Sequence, residues 1–312
     1  MEGAHCDEHL GGDIASLQGV ARGDVYKEEG LCSRLRVMLL ATEDGLFEFA
    51  GGEARRRCCR GVWLVDAARW RGSLYLCSPD LGVLNEDGEV VAEGQCWALR
   101  EAEGKLLALM SGPKIVEVGD GVVATYEALA EERGWHFPLP GYGPHFTDLA
   151  RVGGLYVAST EVGDLMAGPS LGAMSPRPLF EDQHVLAKAG EWLLVGTASG
   201  IYVTKDLASF EEANGAWGYV HGIVKCGGVY VAQTISPKPI WVSQDGLMWE
   251  NLPLVLEEPT FGTTNIACAG DKLIYAVRDI HLIDLKDWHA ERLGVKLPTV
   301  YKIADSTTSS LN

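Results

Sequence analysis

From Arg36 almost to the end of the chain, apolar runs of four to six residues alternate with turns rich in Gly, Asp, Pro and Asn. Runs this short, bounded by such residues, read as strands and not helices. One run recurs seven times: RVMLLAT from 36, SLYLCS from 73, KLLALMS from 105, GLYVAST from 154, EWLLVGT from 191, GVYVAQT from 228 and KLIYAVR from 272. The intervals are 37, 32, 49, 37, 37 and 44 residues. From the second unit on, a companion strand precedes the run (CWALREAE, QHVLAKA, VHGIVKC and their like), and in every unit another follows it (GLFEFAG, GIYVTKD, PIWVSQD). A fourth, shorter and more polar stretch suits an outer edge strand. Four strands repeating about every 40 residues predict an all-β fold, a β-propeller of seven four-stranded blades.

The first unit has no leading strand, and the last strand-like stretch, residues 298–304, has no unit of its own. Pairing the two completes the first blade and closes the ring, which removes two open edges. The predicted propeller domain is 35–304, with a polar tail over 305–312. Residues 1–34 lack sustained periodicity and read as a loosely ordered leader or a short added helix around Asp13–Val20. The 49-residue interval holds an insertion at 126–144, helix-forming at first and then rich in Pro, Gly and aromatics. Such an insertion sits on one face of a propeller as a wall or lid. Trp135, His136, Phe137 and Tyr142 make it a candidate ligand-contacting loop; the alternative is that they fix the loop to its own blade.

A turn motif recurs between the third and fourth strands. Thr204-Lys205-Asp206-Leu207 and Ser243-Gln244-Asp245-Gly246 occupy the same place, with Phe210 and Trp249 four residues after each Asp. Asp284 begins a third copy that ends at Trp288, and Asp87 and Asp120 stand at the same turn in two further units. An Asp there accepts backbone N–H bonds, a Ser or Thr two residues earlier does the same, and Gly246 supplies positive φ. The motif is therefore expected to staple hairpins. SQDGLMW resembles a shortened Asp-box, the turn of sialidase-like and sortilin-like propellers, with Met248 where that family has Thr. The resemblance covers about Arg36–Ala304 at the level of fold. It implies a staple at the blade periphery, away from the central site, and not an activity. Sialidase chemistry would need an arginine triad, and Arg133, Arg151, Arg177, Arg278 and Arg292 sit in no matching motif.

The formal net charge of -17 disfavours phosphate backbones and anionic lipid as partners, so neither nucleic acid nor membrane is expected. Arg55, Arg56, Arg57 and Arg60 form the one basic cluster and read as a solvated strand edge. No run reaches the ~18 apolar residues of a membrane span, and the acidic start is unlike a secretory signal. A cytoplasmic monomer is the expectation. The eight Cys include no CxxC pair and read as reduced thiols, with disulfides of the kind found in intracellular thermophile proteins as the alternative, and with the adjacent Cys58 and Cys59 on opposite faces of a strand. His5, Cys6 and His9 have metal-binding side chains but read as incidental to an acidic leader.

Candidate chemistry comes from aligning the innermost strands on their closing Gly. Six residues earlier stand Asp66, Ala98, Thr147, His184 and His221. His145 lies two residues before Thr147, on the same side of its strand. Three histidines can thus converge at one mouth of the channel, suited to a divalent metal or to acid–base work. Asp148, Glu161, Gln233 and Asn265 are the nearest oxygen partners; the alternative is that each His bonds channel water or a neighbouring strand end. Propeller polysaccharide lyases use His/Gln clusters of this general sort. The leading functional reading is a non-catalytic scaffold that binds a protein or a small ligand at the channel face. The alternative is a carbohydrate-active hydrolase or lyase with its site at the same mouth.

Overall fold

The computed structural model describes residues 37–305. The expected leader, the helix around 13–20, the trio His5, Cys6 and His9, and the tail beyond 305 lie outside these residues. Short alternating runs become antiparallel strands arranged as five four-stranded sheets and one seven-stranded sheet. The large sheet fuses two units. Ser175–Ala189 is a single 15-residue strand whose first part pairs with Val162–Gly168 and whose second part pairs with Trp192–Thr197. The first unit takes its innermost strand from the far end of the chain: Val300–Asp305 pairs antiparallel with Met38–Thr42, with Leu40 opposite Ile303.

The innermost strands are Asp66–Trp70, Cys96–Ala102, Phe146–Val152, Ser175–Ala189, Val220–Cys226, Ile266–Ala269 and Val300–Asp305. Each touches the next in this order, and Val300–Asp305 touches Asp66–Trp70. Side chains alternate across each strand, so every sheet offers an apolar face to both neighbours. The core is accordingly divided into layers between sheets. Leu107, Leu109, Phe146 and Tyr156 fill one such layer, while Val231, Leu273 and Tyr275 fill another. The insertion begins with a helix, Glu127–Arg133, ended by Gly134 in the left-handed conformation. No helix among the described residues is long and apolar enough to cross a membrane.

Two cysteine pairs correct the expectation of reduced thiols. Cys77 is bridged to Cys96, and Cys226 to Cys268, each bond joining neighbouring sheets. Cys58 and Cys59 are free, but their sulfurs lie 2.8 Å apart and not on opposite faces. The strand ends at Cys58, and Cys59 turns with φ +61, which brings the second side chain round to the first.

Candidate functional site

The histidine positions set by strand alignment come together. His145, His184 and His221 line one cavity at a channel mouth, with Asp66, Ala98 and Thr147 of the aligned row beside them. The cavity encloses about 380 Å³, within the range of small-ligand sites. His184 and His221 lie with ring centroids 4.1 Å apart. His145 stacks flat on Trp97 at 4.2 Å. Its Nδ1 faces the Gly143 carbonyl at 3.2 Å and must be the donor there, because a carbonyl oxygen only accepts. Nε2 then carries the lone pair, 3.9 Å from Glu161.

Glu161 stands between two of these imidazoles, with the same Oε2 3.9 Å from His184 Nδ1. Asp182 approaches the other nitrogen, Oδ1 to Nε2 at 3.6 Å. One donor atom from each of Glu161, Asp182 and His184 lies within 4.8 Å of the others. These groups are enclosed, with side-chain exposures of 7% for Glu161, 14% for Asp182 and 4% for His184. His184 Nε2, His221 Nε2 and Asp182 Oδ1 are buried without a hydrogen-bond partner, a state that costs on the order of 1–3 kcal/mol per group.

Protonation reflects that enclosure. Burial pushes the Glu161 carboxyl well above its ordinary range, with the Asp182 charge adding to the effect. Burial and Glu181 raise Asp182 to about 6. Burial lowers His145 to about 3 and His221 to about 4. Burial, then His221 and His145, drives His184 well below the usual imidazole value. The imidazoles are therefore neutral, as metal ligands must be, and among the described residues only His136 works against the rise at Asp182.

The rest of the cavity differs in character. Trp63, Trp97, Phe137, Phe261 and Tyr301 form apolar walls, and Arg100 and Lys302 reach its floor. Arg100 binds Asp66 Oδ2 at 2.7 Å and Asp148 Oδ1 at 2.5 Å. The same carboxylates accept backbone N–H groups of the next inner strand: Leu99 on Asp66 and Leu186 on Asp148. Asp148 thus fastens adjacent units and does not join the histidines. Gln233 and Asn265 are likewise absorbed in a buried network with Thr263.

The insertion divides into two functions. Trp135 is buried, donates Nε1–H to Asp164 at 2.7 Å and meets Phe146 edge to face, so it anchors the loop and does not face the cavity. His136 is exposed, and its backbone bridges to Val162. Phe137 and Leu139 line the cavity. Tyr142 packs on Trp63, Trp97 and Phe137, with its hydroxyl 3.3 Å from Asp80 in another sheet, so the loop arches over the mouth. Asp182 was legible by the same rule that found His145, since it lies two residues before the aligned His184. Trp63, Trp97 and Lys302 carried no comparable signal, because they reach the cavity from a connecting loop, an off-row strand position and the terminal strand.

The fold and the cavity together define the class of the protein, a β-propeller. No family model matches the chain, and no characterised protein matches it in sequence. Solved structures do. YCF48 bound to a D1 peptide superposes with a TM-score of 0.52 at 14% identity, covering 78% of this chain and 87% of that one. Apo AztD from Citrobacter koseri superposes with a TM-score of 0.55 at 11% identity, covering 86% and 97%. BamB from Moraxella catarrhalis gives 0.50 at 10% identity, covering 84% and 88%. The extracellular domain of a putative hybrid two component system from B. thetaiotaomicron gives 0.56 at 12% identity, but this chain spans only 38% of its length. At such identities the likeness is one of fold.

Proposed function

We propose that this chain is a seven-bladed propeller, closed by its last strand, that binds a divalent transition-metal ion of the zinc type at one channel mouth and holds a ligand in the adjoining cavity. The observation that carries the reading is the cluster of Glu161, Asp182 and His184, whose donor atoms lie within 4.8 Å of one another while Asp182 Oδ1 and His184 Nε2 have no hydrogen-bond partner. An ion about 2.0–2.2 Å from each donor would draw them together and satisfy those atoms. Imidazole with carboxylate suits zinc and its first-row neighbours better than the oxygen-only shell of calcium or magnesium. His145, with its Nδ1 committed to Gly143, and His221, with an orphan Nε2, are the reserve donors. Three protein donors leave coordination positions open toward the cavity, as a site that meets a ligand requires.

Titrating metal-stripped protein with zinc by calorimetry tests this. One ion per chain is expected, with the affinity of His184→Ala and Glu161→Gln lower by at least about tenfold, the loss of one ligand bond. Absence of zinc binding in the unaltered chain would sink the reading. Kinship with the Asp-box propellers we propose on the Ser243–Trp249 turn alone. A protein partner is proposed from fold likeness, YCF48 having been seen with a peptide.

A further inference from the structure

Lys302 lines the cavity described above but has been given no role in it. It lies on the inner strand Val300–Asp305 and lines both the histidine cavity and a second cavity that shares Asp66 and Arg100 with it. Its neighbours are charged but committed. Asp66 gives Oδ1 to the Ala67 N–H and Oδ2 to Leu99 N–H and Arg100. Asp148 gives Oδ1 to Leu149 N–H and Arg100, and Oδ2 to Leu186 N–H. Each of the four oxygens already accepts at least one hydrogen bond, and no carboxylate among the described residues makes an ion pair with Lys302. Burial lowers the Lys302 pKa below its ordinary value; Asp66 and Asp148 offset this in part and Arg100 adds to it. Lys302 therefore brings three N–H donors to the cavity and makes no ion pair among the described residues, so they are free to meet an anionic ligand.

A buried orphan donor lines the same cavity. The Trp63 indole N–H is buried with no partner. Its ring packs on Tyr301, the residue before Lys302, at 5.3 Å. The two donors therefore reach the cavity from neighbouring places, on strands and loops other than those that carry His184 and His221. Trp97, Phe137 and Tyr301 line the same cavity as the donors and the histidines.

We infer that the mouth cavity takes a planar organic anion, an aromatic carboxylate in class, with its carboxylate on Lys302 Nζ and Trp63 Nε1 and its ring against the aromatic walls. This assignment names the ligand of the site proposed above, but it does not require the metal: the donors and walls are separate from Glu161, Asp182 and His184. Bound this way, the ligand's far edge would face the open positions of the ion.

The test uses benzoate and benzamide, which share shape and differ in charge, titrated by calorimetry into EDTA-treated protein. Benzoate is expected to bind at least about tenfold more tightly than benzamide, the worth of a charge-assisted hydrogen bond. Lys302→Met should lose about tenfold for benzoate and leave benzamide unchanged, and Trp63→Phe, which keeps the ring, should lose several-fold. Near-UV circular dichroism and retained zinc binding establish that both variants are folded. Equal binding of the two probes, no benzoate binding, or an unchanged affinity in folded Lys302→Met would each overturn the inference. Zinc binding without benzoate binding would remove this inference and leave the metal reading standing. Benzoate binding without zinc binding would do the reverse.

Discussion

Asp245 shows how much one side chain fixes. Its Oδ1 accepts Leu247 N–H at 2.8 Å, Met248 N–H at 3.1 Å and the Ser243 hydroxyl at 3.1 Å. Ser243 Oγ in turn accepts Gly246 N–H at 2.8 Å, and Trp249 returns its indole N–H to the Gly246 carbonyl at 2.9 Å. Asp206 and Thr204 repeat the arrangement, with Leu207 taking the positive φ of +59 that Gly246 takes at +82. This much was legible, because turn chemistry is local and each role demands a residue type. Asp245→Ala should cost about 2 kcal/mol in urea unfolding, from two backbone bonds to a charged acceptor. The backbone amides of Leu247 and then Met248 hold the Asp245 carboxyl below its ordinary value of 3.8. Its folded pKa is depressed, so its contribution is complete above the unfolded pKa and is lost as pH falls through the folded one. The stability gap between the two proteins should therefore close below about pH 4. By contrast, Lys302 was not legible: a lysine in a terminal strand looks like any solvated edge residue until the other strands surround it.

At the scale of elements, the insertion is held by one carboxylate. Asp164, 2% exposed at its side chain, pairs with Arg133 at 2.6 and 2.9 Å and accepts the Trp135 indole N–H. Asp164→Ala would leave a buried indole donor without an acceptor and free the helix Glu127–Arg133 from the sheet beneath. We expect a loss of about 2–3 kcal/mol, less than a fully buried pair because Arg133 is half exposed, and rapid proteolysis within 133–144. Mass spectrometry of the fragments reads the outcome, and intact resistance would show that the aromatic contacts alone hold the loop. Composition announced the insertion and its aromatics, but not which ring turns inward, since Trp135 and Phe137 differ only in which neighbour each can reach. The 15-residue strand was also hidden, because Pro176 and Pro178 signal a break. Both lie in its outer portion, where a missing N–H is tolerated.

For the whole molecule, the period of about 40 residues predicted units that recur as sheets, because propeller strands are local and pair with their neighbours in sequence. Contacts between units were beyond that reach, the disulfides among them. Cys77–Cys96 closes a span of 19 residues and Cys226–Cys268 one of 42. By loop-closure entropy they contribute about 3 and about 4 kcal/mol. Reduction with dithiothreitol should lower the denaturant midpoint, and Cys226→Ser with Cys268→Ser should lower it more than the other pair removed. An unchanged midpoint under reductant would show that the bridges add nothing to stability. The pairing of Val300–Asp305 with Met38–Thr42 has a consequence for synthesis. A ribosome delivers Met38 early and Val300 more than 250 residues later. At about 5–20 residues per second, that wait lasts tens of seconds. Throughout it, the first sheet presents a raw edge of unpaired amides to whatever nascent chains are near. Each later unit can complete itself as it emerges, so the most exposed moment in the life of this protein belongs to the part made first.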